Sequence, residues 1–147
     1  MYQYPSNTIL FSSARAFRYS EERQAASKSG RSIMSTAQTI ASQEETIQDI
    51  TRRLVAFYNP VKIYLFGSAA RGESGPDSDL DFCVVVPDET PPERFRAGAS
   101  HGALAGIKAA SDIVPWRRTD FEQRAAWVKA SLPATVVREG RILYESA

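Results

Sequence analysis

Two aspartates, Asp79 and Asp81, stand either side of a leucine at the close of the run Gly72-Glu73-Ser74-Gly75-Pro76-Asp77-Ser78. In a strand, residues i and i+2 share a face and lie roughly 7 Å apart along the backbone. Both carboxylates would then look into one cleft while Leu80 and Phe82 face the core. Carboxylates converging in this way can share hard divalent cations, which take oxygen ligands. Two such ions, roughly 3.5–4 Å apart, would clamp the attacking and leaving oxygens of a phosphoryl displacement. Upstream lies Gly67-Ser68, where a strand hands over to a helical turn. A residue without a side chain lets a phosphate approach the backbone closely. Amides at a helix start favour an anion, and the Ser68 hydroxyl adds a donor. Arg71, one turn on, can bring positive charge to a triphosphate tail. Gly-Ser at a strand end and aspartates near a Gly-Pro loop also occur as plain turn chemistry. Here the glycine falls at a strand end and the carboxylates at a strand start, which favours a site.

These residues need a scaffold. Ser42-Gln43-Glu44-Glu45 reads as a capping box, opening an amphipathic helix of about 15 residues on Ile47, Ile50, Leu54 and Phe57. Pro60 pushes Asn59 out of the helical region and ends it. Val61–Phe66 reads as a strand with Val61, Ile63 and Leu65 on one face, and Ser68–Arg71 as one helical turn. The second strand is Asp79–Val86, its Phe-Cys-Val-Val-Val run implying apolar cover on both faces. Thr90-Pro91-Pro92-Glu93 reads as a second capping box, opening a helix to about Lys108. Ser111–Trp116 reads as a strand at or near an edge, because of Pro115. Thr119-Asp120-Phe121-Glu122 caps a further helix through Val128, and a turn and short strand, Arg141–Tyr144, close the chain. The order α-β-β-α-β-α-β gives a mixed β-sheet with helices packed on it, a two-layer α/β domain of the α+β type.

Composition bounds the rest. The 147 residues suit one ordinary domain, 43% hydrophobic and 24% charged. The longest apolar run, Phe82–Val86, is five residues, far short of the roughly 20 needed to cross a bilayer. One cysteine and one histidine exclude a disulfide framework, thiolate zinc clusters and two-His zinc motifs. Eighteen basic and 17 acidic residues leave a net charge of +1, so no polyanionic partner is demanded. Residues 1–33 carry five basic and two acidic side chains, a local +3, leaving −2 for the remainder. They show neither strand nor helix periodicity and read as a disordered leader, with residues 34–147 as the domain. Their aromatic residues leave docking on a partner as another reading. Cys83 reads as a small buried residue, His101 as an exposed one, Arg117-Arg118 as a solvated pair, and Tyr144 as packing.

The stretch Gly67-Ser68-Ala69-Ala70-Arg71-Gly72, then Asp77-Ser78-Asp79-Leu80-Asp81, resembles the signature of the polymerase-beta-type nucleotidyltransferase superfamily. The chain's size resembles that of its minimal nucleotidyltransferase branch. The likeness runs from about Glu44 to Glu145 and is sharp only between Gly67 and Asp81. It implies the polymerase-beta-like fold, ATP with magnesium, and transfer of AMP to a hydroxyl. By it, Gly67 and Ser68 hold the β- and γ-phosphates, with Arg71 beside them, and Asp79 and Asp81 bind the metals. The family also carries a later acidic residue that helps activate the attacking hydroxyl and completes the metal site. Asp112, in Ser111-Asp112-Ile113-Val114, holds the matching position, although Pro115-Trp116 departs from the family's aliphatic continuation. The usual partner in this branch is a helical HEPN-type toxin, AMP being added to one of its tyrosines by the antitoxin. The resemblance thus implies a cytoplasmic antitoxin that engages neither membrane nor nucleic acid. Two other readings stand beside it: a binding module that neutralises its partner by contact, and an aminoglycoside-type small-molecule nucleotidyltransferase.

Overall fold

Ile47, Ile50, Leu54 and Tyr58 recur every three or four residues and are all buried, the stripe that turns a helix toward a core. In the computed structural model, which describes residues 31–75 and 77–147, they lie on helix α1, Arg31–Tyr58. The chain divides into two compact units, Met1–Ala41 and Ser42–Ala147. The described part of the first is the opening of α1, and the expected leader lies outside the described residues except for Arg31–Ile33. The helix does not start at the Ser42 capping box. The Ser42 carbonyl instead accepts from Thr46 Oγ1 at 2.9 Å within the continuing helix. Tyr58 rather than Phe57 completes the buried stripe, and Phe57 lies edge-on to it at 4.7 Å. Asn59, at φ 46°, ends the helix in the left-handed region, one that Asn tolerates better than most residues.

Strand β1, Lys62–Phe66, leads into the short helix α2, Gly67–Arg71. Strand β2, Leu80–Val86, returns antiparallel to β1, and β3, Ser111–Arg117, lies parallel to β2. Helices α3, Arg118–Trp127, and α4, Leu132–Glu139, precede β4, Arg141–Glu145. The sheet order is β3-β2-β1-β4. Pro115 therefore lies in an edge strand, where a missing ladder donor is tolerated.

The mixed sheet with packed helices is as the sequence implies, and the apolar cover of β2 extends to both its faces. Ile63, Leu65, Phe82, Val84 and Val86 pack with the α1 stripe. Tyr64, Cys83 and Val85 alternate to the other side, with Phe121 of α3 and Val136 of α4. Apolar side chains from α1 on one face and from α3 and α4 on the other thus cover the sheet. Cys83 is wholly buried and its thiol is pushed up to about 12 by burial, so it acts as a small core residue.

Four further expectations fail, each for a local reason. The Thr90 box opens no helix to Lys108, only a 3-10 turn over Pro92–Phe95 followed by further turns. Gly98 and Gly106 stand at φ +76° and +84° there, which a right-handed helix cannot include. Helix α3 begins at Arg118, and Thr119 does not cap it with its own side chain. Its amide and hydroxyl instead both donate to Asp88, at 3.0 and 2.7 Å. Helix α4 stands where a turn is expected: Ser131 caps it by accepting from the Ala134 amide at 3.2 Å, and Pro133 sits in its first turn. Nor is Arg117 solvated: its Nη1 donates to the carbonyls of Asp88 and Thr90, and its guanidinium lies 4.6 Å from the Phe95 ring centre.

Candidate active site

The parallel pairing of β2 with β3 sets Asp81 directly opposite Asp112. Neighbouring strands run about 4.8 Å apart, so the two carboxylates stem from adjacent points on one face. Both alternate away from Phe82 and Ile113, which pack on the α1 side. Asp79 lies just before β2, exposed, and its charge reaches Asp81. The Asp81 carboxyl is held above the usual carboxylate range by its partial burial first, then by the charges of Asp112 and Asp79. Among the described residues none of the three carboxylates has a hydrogen-bond or ion-pair partner. The fold therefore gathers like charges without supplying a protein cation, an arrangement that costs stability unless something else compensates it.

The β1–α2 turn closes against the same point. Phe66 pairs with Asp81 across the antiparallel ladder, so Gly67 begins α2 beside that carboxylate. A Cβ at Gly67 would run into Asp81 Oδ2, and its backbone stands at φ +71°. Glycine meets both demands. Helix α2 closes at Gly72, also left-handed, with the Glu73 amide donating to the Ser68 carbonyl at 3.0 Å. This is the six-to-one bond of a Schellman ending. Ser68 lies half-buried in the first turn of α2.

Of the residues singled out from the sequence, Gly67, Asp81 and Asp112 are brought together most closely, with Asp79 within electrostatic reach. Arg71 is turned aside: its Nε donates to Glu73 Oε2 at 2.9 Å, both side chains being exposed. Glu73 was not expected to have a part. Its only signal was its place two residues after the arginine, in a loop that the Schellman turn folds back. The sequence also left unseen a cleft of ≈300 Å³ beside Asp112, walled by the turns after Gly98.

The donor set, oxygen only and negatively charged, suits hard divalent ions such as magnesium in charge and ligand type. Among the described residues no group of three His, Cys, Asp or Glu side chains is already gathered to hold a metal ion. The fit therefore lies in donor chemistry and uncompensated charge.

The model of the nucleotidyltransferase domain family matches residues 45–129, and the chain belongs to that family. Among solved structures, one described as a toxin-antitoxin with AMP-PNP shares 23% identity at a TM-score of 0.48, covering 67% of this chain and 72% of its own. A mutant of the toxin-antitoxin MntA-HpeT shares 20% identity at 0.44, over 66% and 70%. A putative nucleotidyltransferase from Sulfolobus solfataricus shares 16% identity at 0.46, over 81% and 92%. No curated protein matches the chain. Among the described residues no helix is long and apolar enough to cross a membrane.

Proposed function

We propose that this chain is a magnesium-dependent nucleotidyltransferase that moves AMP from ATP to the tyrosine hydroxyl of a HEPN-type toxin, acting in the cytoplasm as its antitoxin. The observation that carries the reading is the register that sets Asp81 opposite Asp112, with Gly67 against the Asp81 carboxylate. Family membership supports the transferase class. The chain's size, which resembles that of the minimal branch, supports the protein acceptor.

In this reading Asp79, Asp81 and Asp112 hold magnesium, which when bound supplies charge to the phosphate oxygens and the leaving group. Gly67 and Ser68 hold the β- and γ-phosphates at the start of α2, the Ser68 hydroxyl donating to them. Arg71 adds its charge once it leaves Glu73. The acceptor oxygen bonds to the α-phosphorus as the bond from that phosphorus to the bridging oxygen breaks. Pyrophosphate departs, and the Asp112 carboxylate takes the hydroxyl proton.

The test is incubation with ATP labelled at the α-phosphate and magnesium, with and without a co-purified partner, beside the Asp79→Asn/Asp81→Asn double variant. Label on the partner that disappears with the double variant is the expected result. Tight complex formation by both proteins without label transfer would leave a contact-only antitoxin and defeat the catalytic reading.

A further inference from the structure

The loop that carries Asp79 is held from α1. Ser74 Oγ donates to Gln43 Oε1 at 3.3 Å, a partly buried bond between distant parts of the chain. Beyond it the Gly75 amide donates to Ser78 Oγ at 2.9 Å, and the Ser78 amide returns a bond to the Gly75 carbonyl at 3.2 Å. Leu80, 2% exposed, then donates its amide to the Ala110 carbonyl at 3.0 Å. Asp79 thus stands between two anchored neighbours, while its own carboxylate is exposed and unbonded among the described residues. Its place is set through the backbone.

Gln43 is itself firmly placed. It lies one turn before Ile47, on the face of α1 that Ile47, Ile50 and Leu54 bury. Beside it, the Glu44 carboxylate accepts from both Nη groups of Arg141 at 3.0 to 3.2 Å. Arg141 pairs with Leu65 across the β1–β4 ladder, just ahead of the Gly67 turn. Ala69 and Ala70 of α2 pack against the same core as α1. The start of this stripe therefore backs the glycine turn and the Asp79 loop together. Continuing the stripe would put an apolar side chain at 43. A half-buried glutamine stands there instead, and its oxygen goes to Ser74. Gly72 and Gly75 give the loop backbone little stiffness of its own, so that bond has something to restrain.

We propose that Gln43 is a positioning residue for nucleotidyl transfer: through Ser74 it holds the loop so that Asp79 can join Asp81 and Asp112 on a divalent cation. The inference rests on the nucleotidyl-transfer reading and deepens it. Asp81 and Asp112 are fixed opposite each other by the β2–β3 pairing, which begins at Leu80 and so leaves Asp79 outside the ladder. Like charges repel, and nothing in the ladder stops Asp79 from swinging away from the other two. Of the three carboxylates it is the one whose place depends on a tether beyond the sheet.

The test is a titration of the full chain with Mn²⁺, read from the electron paramagnetic resonance of the free ion, with Asp79→Asn as the reference for losing that ligand. Gln43→Leu, which continues the apolar stripe, and Ser74→Ala should each raise the Kd for Mn²⁺ about fivefold, the worth of one hydrogen bond. Ser74→Thr keeps the hydroxyl and should recover most of the loss. In the Asp79→Asn background Gln43→Leu should have no further effect, because it acts through that carboxylate. Thermal melts in EDTA should show Gln43→Leu no less stable than the parent. Unchanged Mn²⁺ affinity in Gln43→Leu where Asp79→Asn weakens it, or an equal loss in both backgrounds, overturns the proposal and leaves the transfer reading standing. Mn²⁺ affinity that depends on Gln43 in a protein that transfers no label would uphold the positioning role and defeat the transfer reading instead. A parent chain that binds no Mn²⁺ would overturn both.

Discussion

Asp81 and Asp88 stand near opposite ends of the same strand, and the fold treats them in opposite ways. Asp88 receives the hydroxyl and amide of Thr119, which hold its carboxyl below the usual range, and so ties the end of β2 to the start of α3. Asp81 receives nothing from the described residues. Burial and two like charges raise it. One aspartate is a fastening with its partners built in; the other has no such partner among the described residues. Residue type does not separate the two roles, but the neighbours do.

The sharpest way to break this contrast is to remove each charge in turn. Asp81→Asn, alone or with Asp79→Asn, should lower AMP transfer by a factor on the order of 10³, since losing several kcal/mol of charge stabilisation costs a tenfold factor per 1.36 kcal/mol. Its Tm should hold or rise, because repulsion with Asp112 and Asp79 is relieved. Asp88→Ala should do the reverse, keeping transfer while lowering Tm by roughly a few degrees through loss of the helix-start acceptor. A label-transfer assay and a thermal melt on the same preparations check both, and parallel losses in the two variants would erase the distinction.

A smaller effect is expected at the turn beside Asp81. Gly67→Ala forces an L-residue into the left-handed region, at about 1–2 kcal/mol, and drives its methyl into the Asp81 carboxylate. Chemical denaturation should show at least that loss, with transfer falling further than the stability change alone explains. Gly72→Ala is the control: it shares the positive φ but meets nothing within 4 Å, so it should lose stability while keeping transfer.

The same contrast governs what the sequence could disclose. Strand alternation revealed β1, β2 and β3, because Leu80 and Phe82 must face inward if Asp79 and Asp81 face out. The turn at Gly67 was readable because only glycine suits it. The register that brings Asp112 opposite Asp81 was not readable, since strand pairing depends on contacts distant in the chain; only family resemblance pointed there. The 90–109 segment misled because Thr90 and Glu93 have capping-box spacing, while the adjacent prolines and the left-handed Gly98 and Gly106 carried the contrary signal. Asp88 carries no local signal, because the helix it caps begins thirty residues later in the chain, at Arg118. No local pattern announces such a cap.

A weaker pair of effects tests whether Arg71 is held in reserve. Its bond to Glu73 is exposed on both sides, and such pairs contribute little to stability. Glu73→Gln should therefore leave Tm unchanged while lowering the KM for ATP about twofold to threefold, and Arg71→Ala should raise it by a similar factor. Steady-state kinetics at two salt concentrations would show both shifts shrinking as ionic strength rises. A Glu73→Gln variant with unaltered KM would mean that Arg71 does not serve the phosphates.

The smallest expected effect lies in the pH dependence of stability, where the two aspartates should show opposite signs in metal-free protein kept in EDTA. Asp81 has a raised folded-state pKa, so its ionised form costs more in the folded chain than in the unfolded one. That cost is present at neutral pH and fades as pH falls through the raised value toward the ordinary carboxylate range. Asp81→Asn should thus be more stable than the parent at neutral pH and lose this advantage on acidification. Asp88 has a lowered folded-state pKa, so its contribution is full above the ordinary range and is lost as pH falls through the lowered value. Asp88→Ala should be less stable at neutral pH, with a deficit that shrinks only at pH below that of the Asp81 change. Thermal melts from roughly pH 3 to 8 would resolve the two windows. A shared window, or the same sign for both variants, would show that the surroundings of the two carboxylates differ less than their partners imply.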